Sequence, residues 1–242
     1  MSQEHHFTLY THKLGPNGWR VSLHTVCGPQ GSPLVYRKVA IVLEELGLEY
    51  RSLYLDVKAG EHKGPEHTKF NPNGRIPTLI DHKNNDFVIW ESDAIITYLV
   101  EKYDTEGKIS ATSFEEKIQQ LQWLFFQASG QGPYFGQAAV FIMSHSEKLP
   151  SAIERYHKEI LRVLGVLESV LSKQEWLVGG KCTVADLSFI PWNALVLDGT
   201  IANGYSPAQF EKDFPAVYKW HHTMINRQTV KKIYAVRETF KA

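Results

Sequence analysis

The 242-residue sequence is poor in cysteine: Cys27 and Cys182 stand far apart and in no CxxC pair, which excludes a disulfide framework and a zinc ribbon. It has no excess charge, 26 Lys+Arg balancing 26 Asp+Glu, which argues against binding nucleic acid or a membrane surface through bulk charge. No apolar run approaches the ~18 residues of a membrane span, and Met1 to Tyr10 show no basic stretch followed by an apolar one. The eleven histidines include no HExxH, and His5/His6, His62/His67 and His221/His222 lack the spacing of a helical ligand pair, so no metal site is expected. A cytoplasmic chain with neither nucleic acid nor membrane as partner is the expectation. What is present, 43% hydrophobic and 12% aromatic residues, describes a folded protein long enough for two domains.

Phe7 to Thr11 alternates apolar and polar residues as a strand does, and Gly15-Pro16-Asn17-Gly18 breaks the chain before a helix. Val39, Val42, Leu43 and Leu46 repeat at helical spacing, and Gly47 supplies the stop. Strands follow at Tyr50 to Asp56, Pro77 to Asp81 and Phe87 to Trp90, with a short polar helix or loop over Glu61 to Phe70 and hairpin residues Asn84-Asn85-Asp86. Ser92 opens a helix with Ile95, Tyr98, Leu99 and Tyr103 on one face. The predicted order is βαβαββα, residues 1–104, and the fold class is α/β plus all-α.

After Asp104 the texture changes to a polar stretch, and from residue 112 to 242 the patterns are helical. Phe114, Ile118, Leu121 and Phe125 form one stripe, and Ile153, Tyr156, Ile160, Val163, Leu164, Leu167 and Leu171 another. Thr183-Val-Ala-Asp186 has the form of a capping box, which fixes where a buried helix begins.

The chemistry-bearing residues lie in the first half. Arg75-Ile76-Pro77 enters the third strand with a proline that is either a strand-start residue or a cis-proline. Glu91-Ser92 stands at a strand-to-helix junction, where the Ser92 hydroxyl and helix N–H groups suit a carboxylate and Glu91 can accept from an ammonium. Together they match the head of an α-amino acid; as an ordinary helix cap they would carry no ligand.

On Pro16-Asn17-Gly18, Val39-Ala-Ile-Val-Leu-Glu-Glu-Leu-Gly-Leu48, Gly60-Glu-His-Lys63, Asn71-Pro-Asn-Gly-Arg-Ile-Pro77 and Trp90-Glu-Ser-Asp-Ala-Ile95, the sequence resembles a cytosolic glutathione transferase. The resemblance is to the nu class and the fungal group related to the yeast nitrogen-regulating prion protein. It is thinner in the second half, resting on Gly132-Pro-Tyr-Phe-Gly-Gln137 and the capping box. It implies a thioredoxin-like N-terminal domain and an all-helical C-terminal one, glutathione as co-substrate with no permanently bound cofactor, a hydrophobic electrophile, disulfide or peroxide as second substrate, and a homodimer.

Position by position, the resemblance implies that Glu91 and Ser92 bind the γ-glutamyl end, Ile76 before cis-Pro77 pairs with the cysteinyl backbone, and His62 lies near the glycyl carboxylate. Asn17 becomes the catalytic residue, donating to the glutathione thiolate; Tyr134, Phe135 and Gln137 are candidates for the second-substrate pocket. Three alternatives stand: Asn17 is a turn residue only, Tyr10 or Thr11 supplies a hydroxyl instead, or the protein is a regulatory or ligand-binding member without turnover. Relatives of the nu class often carry a threonine just before the Pro-Asn pair, where this chain has Gly15.

Residues 21–38, VSLHTVCGPQGSPLVYRK, interrupt the run that the resemblance makes continuous. Without them Arg20 would precede Val39 and one amphipathic helix would result. Gly28-Pro29, Gly31 and Pro33 oppose a helix here. Val-Ser can be encoded GTA AGT and Lys AAG, the forms of a splice donor and acceptor, so a translated intron is one explanation. A surface loop is the other, since closure cost grows slowly with length.

Overall fold

The computed structural model describes residues 5–12, 35–57 and 59–235. Asn17 and the interruption from 21 to 34 lie outside the described residues. The elements in chain order are β1 (Phe7–Thr11), α1 (Val35–Glu45), β2 (Tyr50–Tyr54), α2 (Pro65–Thr68), β3 (Thr78–Asp81), β4 (Phe87–Trp90) and α3 (Ser92–Tyr103). Then come α4 (Phe114–Phe126), α5 (Gly132–Ala139), α6 (Pro150–Leu171), α7 (Val184–Leu187), α8 (Ile190–Leu197), α9 (Pro207–Asp213), α10 (Pro215–Ile225) and α11 (Gln228–Ala235).

The first compact unit holds the sheet, α1 to α3 and α11. Strand order is β2-β1-β3-β4, with β1 parallel to β2 and antiparallel to β3, and β3 antiparallel to β4. This is the thioredoxin-like arrangement that the predicted order implies. The inward residues Phe7 and Leu9 of β1, Leu79 of β3, Val39, Val42 and Leu43 of α1, and Ile95 and Leu99 of α3 are fully buried. Burial of each such side chain contributes about 1.5–3 kcal/mol. Asn85 and Asp86 both take φ 54, the left-handed geometry that turns β3 into β4.

The first helix starts at Val35, not Val39, so the last four residues of the interruption form its first turn. At its other end α1 packs on α11: Lys232 Nζ lies 2.6 Å from Glu44 Oε2, and Thr229 donates to Glu45 Oε1. The Arg37 guanidinium stacks 4.0 Å above the ring of Tyr234.

The second unit is all-helical over the described residues 110–227. Ile160, Val163, Leu164, Leu167 and Leu171 of the long helix α6 are buried, following the predicted stripe. The stripe on α4 behaves differently: Phe114 is 73% exposed, Ile118 49% and Phe125 71%, while Trp123, Leu124 and Gln120 make the buried face. Two π-turns, Gln127–Gln131 and Val140–Ser144, flank α5. In the first, Gln127 Nε2 donates to Gln131 Oε1 (3.0 Å) and Gln131 Nε2 to Asn193 Oδ1 (2.7 Å), a row of buried amides. The capping box is formed: Thr183 N donates to Asp186 Oδ2 at 2.8 Å, and Ala185 N to Thr183 Oγ1 at 3.3 Å.

Candidate functional site

Sheet register gathers the site. Thr78 pairs with Tyr10 on one side and Trp90 on the other. One step further along these antiparallel ladders, Pro77 comes level with Thr11 and with Glu91. Ile76-Pro77 and Glu91-Ser92, separated by a hairpin in sequence, therefore meet at one end of the sheet. The Ile76–Pro77 bond is cis. Glu91 is exposed and takes φ 68, ψ 118, a conformation costly for a residue with a Cβ and of the kind that clusters at ligand sites. Ser92, 8% exposed, is the first residue of α3.

The His62 loop is fastened to this corner by a chain of hydrogen bonds. His67 Nδ1 contacts the His62 carbonyl at 2.9 Å and its Nε2 contacts Thr78 Oγ1 at 3.0 Å, while Asn71 Nδ2 donates to Thr78 Oγ1 (3.0 Å) and to the Arg75 carbonyl (2.7 Å). A carbonyl only accepts, so His67 carries a proton on Nδ1; in the neutral tautomer Thr78 donates to Nε2 while accepting from Asn71. In that arrangement each hydrogen of the network has one acceptor. Gly74 closes the gap: at φ 56 a Cβ would stand 3.0 Å from the His62 carbonyl and 2.9 Å from Lys63 Cδ. Burial, helped by Lys63, His67 and Arg75, lowers the His62 pKa. Its buried Nδ1 has no hydrogen-bond partner among the described residues. Burial thus favours the neutral form of the His62 ring.

Two groups not assigned to the site from sequence complete the corner, the first at the α3 N-terminus. Lys38 Nζ, on α1, lies 2.7 Å from Asp93 Oδ1 and 3.2 Å from Ser92 Oγ. The lysine is buried at 2% exposure, and burial lowers its pKa against the opposing pull of Asp93. His67, Asn71 and Thr78 form the other missed group. Spacing along one chain carries no sign of contacts between α1 and α3 or between α2 and β3.

Of the alternative hydroxyls, Thr11 is fully buried and its Oγ1 has no hydrogen-bond partner among the described residues. Tyr10 packs against the rings of His67 and Phe70, with centroids 5.5 and 5.6 Å away. In the second unit, Tyr134 is half-buried beside Tyr156 and beneath the Arg162 guanidinium, and Gln137 is exposed. Phe135 is fully buried and meets Trp192 edge-on, which makes it core. Among the described residues no three His, Cys, Asp or Glu side chains gather into a metal-binding group, and no helix is long and apolar enough to cross a membrane.

Comparison with known proteins adds an independent line. Residues 31–101 match the family model for the glutathione S-transferase N-terminal domain and residues 133–228 that for the C-terminal domain. The first match begins inside the interruption, beyond Asn17. Glutathione S-transferase 2 of Schizosaccharomyces pombe is 48% identical over 235 residues, covering 93% of this chain and 94% of the relative. The crystal structure of the glutathione transferase URE2P6 from Phanerochaete chrysosporium in complex with oxidized glutathione superimposes with TM-score 0.86 at 55% identity, over 99% of both chains. That of Ure2p5 from the same organism, cocrystallized with 1-(S-glutathionyl)-2,4-dinitrobenzene, gives 0.83 at 47% identity, over 98% of this chain and 97% of the other.

Proposed function

The chain belongs to the glutathione S-transferase family, and from that premise we propose that it is a glutathione transferase whose first unit binds glutathione. The observation that carries the proposal is the convergence of Glu91, Ser92 and cis-Pro77 at one end of the sheet. An exposed carboxylate beside a hydroxyl at a helix N-terminus complements the ammonium and carboxylate of the γ-glutamyl group. The Ile76 backbone pairs with the cysteinyl unit, and His62, as a neutral N–H donor, faces the glycyl carboxylate.

Asn17 donates its amide N–H to the glutathione sulfur. An amide cannot remove the proton, but a donor stabilises the thiolate and lowers the thiol pKa. At a pKa of about 8.5 only about 3% of the thiol is ionised at pH 7, so a fall to about 6.5 raises the nucleophile more than tenfold. The thiolate then attacks an electrophilic carbon, whose leaving group departs with the electron pair, or one sulfur of a mixed disulfide, breaking S–S and expelling the other as a thiolate, or a peroxide oxygen, breaking O–O and expelling an alkoxide or hydroxide as the sulfur is oxidised to a sulfenic acid. Tyr134 and Gln137 contribute to the second-substrate surface, with Phe135 supporting them from the core.

The working form is a homodimer: Phe114, Ile118 and Phe125 expose an apolar stripe along α4, of a kind that marks association surfaces. A cytoplasmic setting, where glutathione is kept reduced, fits the chemistry. The test is glutathione binding and turnover with a dinitrophenyl halide and a mixed disulfide side by side, with Asn17→Ala as control. Turnover that collapses in Asn17→Ala supports the reading. Glutathione binding without turnover of either substrate replaces it by the regulatory or ligand-binding role, and no binding overturns both.

A further inference from the structure

We propose that Lys38 is a positioning residue for glutathione: its ammonium, anchored on Asp93, occupies an acceptor site of Ser92 Oγ and commits the Ser92 hydroxyl hydrogen to the ligand carboxylate. The inference rests on the glutathione reading of the Glu91-Ser92 corner and deepens it.

A serine hydroxyl has one hydrogen and two lone pairs, and it rotates to suit its neighbours. A lysine ammonium has hydrogens only. At 3.2 Å from Lys38 Nζ, Ser92 Oγ must therefore accept, and its hydrogen turns elsewhere. Ser92 adjoins Glu91, which stands exposed at the end of the sheet, and a ligand bound there is the proposed acceptor of that hydrogen. Asp93, 2.7 Å from Lys38 Nζ, opposes the effect of burial and favours the charged, donor-only form of the lysine. The pair holds its geometry because Lys38 lies on the buried face of α1 next to Val39, and α1 packs on α3. The anion site is thus set before glutathione arrives, and less is lost in ordering it.

Lys38 is the last residue of the interruption. In a chain without residues 21–38, Arg20 precedes Val39 and takes the same helical register. A guanidinium is also donor-only, so either form presents a cation here.

The experiment measures the glutathione Kd, KM and kcat of the full chain and of Lys38→Met, Lys38→Arg, Ser92→Ala and the Lys38→Met/Ser92→Ala double variant. Loss of one charge-assisted contact predicts a KM and Kd for glutathione raised about tenfold in Lys38→Met, with saturated kcat within about twofold of wild type. Lys38→Arg restores the wild-type values. In the Ser92→Ala background, Lys38→Met adds no further loss, because the lysine acts through that hydroxyl. Should Lys38→Met not fold, Asp93→Asn, which takes the anchor from the ammonium at a half-buried site, carries the same prediction for KM. A folded Lys38→Met with unchanged KM, additive losses in the double variant, or failure of arginine to rescue overturns the inference. A wild-type chain that binds no glutathione overturns the underlying reading and this one with it, whereas wild-type binding with an insensitive Lys38 overturns this one alone.

Discussion

Trp220 donates its indole Nε1–H to Asp186 Oδ1 at 3.0 Å, tying α10 to the first turn of α7. The same carboxylate accepts from the Leu177 and Thr183 backbones and the Thr183 hydroxyl, so one side chain closes four donors in the interior of the second unit. Asp186→Ala leaves three buried N–H groups unpaired and is expected to cost about 3 kcal/mol or more. Trp220→Phe removes a single donor and is expected to cost about 1 kcal/mol beyond any packing change. Urea unfolding of both variants checks the order; equal losses would show that the cap does not depend on its carboxylate.

Two buried carboxylates pull stability in opposite directions with pH. Burial pushes Asp186 up to about 6, outweighing its hydrogen bonds. The folded state then holds its proton more tightly than the unfolded one, and stability falls by about 3 kcal/mol as pH rises from about 4 to 6. For Asp81, burial is outweighed by hydrogen bonds from Tyr103 and Tyr98 and by His6, which hold its pKa below the usual carboxylate value. Its contribution is present above about pH 4 and lost as pH falls through the folded pKa. Asp186→Asn should therefore flatten the stability profile between pH 4 and 6, and Asp81→Asn should flatten it below pH 4. Profiles that keep their slopes would refute both assignments.

Glu91 stands at φ 68, where glycine is at ease and glutamate is not. Glu91→Gly is expected to raise stability by up to about 1 kcal/mol while weakening glutathione binding about tenfold through loss of the ammonium partner. Calorimetry and a glutathione titration on the same preparation test the trade; a variant that gains stability and keeps its affinity would remove Glu91 from the site.

The α4 stripe gives a prediction about assembly. Replacing Phe114 and Phe125 with glutamate is expected to convert the proposed dimer to a monomer with the far-UV spectrum unchanged, since both side chains are mostly exposed. Sedimentation velocity decides it, and a wild type that sediments as a monomer defeats the proposal.

Deleting residues 21–38 joins Asn17 to α1 through Gly18, Trp19 and Arg20, placing the amide at the positive end of a continuous helix. The deletion is expected to raise kcat/KM for glutathione turnover about tenfold, the effect of roughly 1.4 kcal/mol of added thiolate stabilisation. Equal activity in the two forms would show that continuity is unimportant. Sequencing the mature transcript separates the explanations: retained codons eliminate the intron.

The helices and strands were legible because their signals are local. Alternation in Phe7–Thr11, the Asn84-Asn85-Asp86 turn and the Thr183–Asp186 box each specify a backbone conformation within a few residues, and each stands where the pattern places it. The Glu91-Ser92 and Ile76-Pro77 motifs were legible as chemistry, and the register of β3 with β4 supplies the proximity that spacing cannot. Apolar spacing placed the start of α1 at Val39, whereas Val35 to Lys38 is already helical: Val35 continues the stripe of Val39, Val42 and Leu46, a signal masked by the Gly- and Pro-rich segment before it.

Sequence by itself determined the two-part division of folds and the family motifs, and it supplied Glu91 and Ser92 as candidates for recognising an α-amino acid head, since these follow from local periodicity, capping and side-chain chemistry. Only the tertiary structure decided that Lys38 meets Asp93 and Ser92, that the α4 stripe stays exposed while Gln120 and Trp123 turn inward, and that His67, Thr78 and Asn71 bind two loops into one corner. The physical reason is that a periodic pattern fixes which residues share a face, whereas what that face meets is settled by packing between segments far apart in the chain.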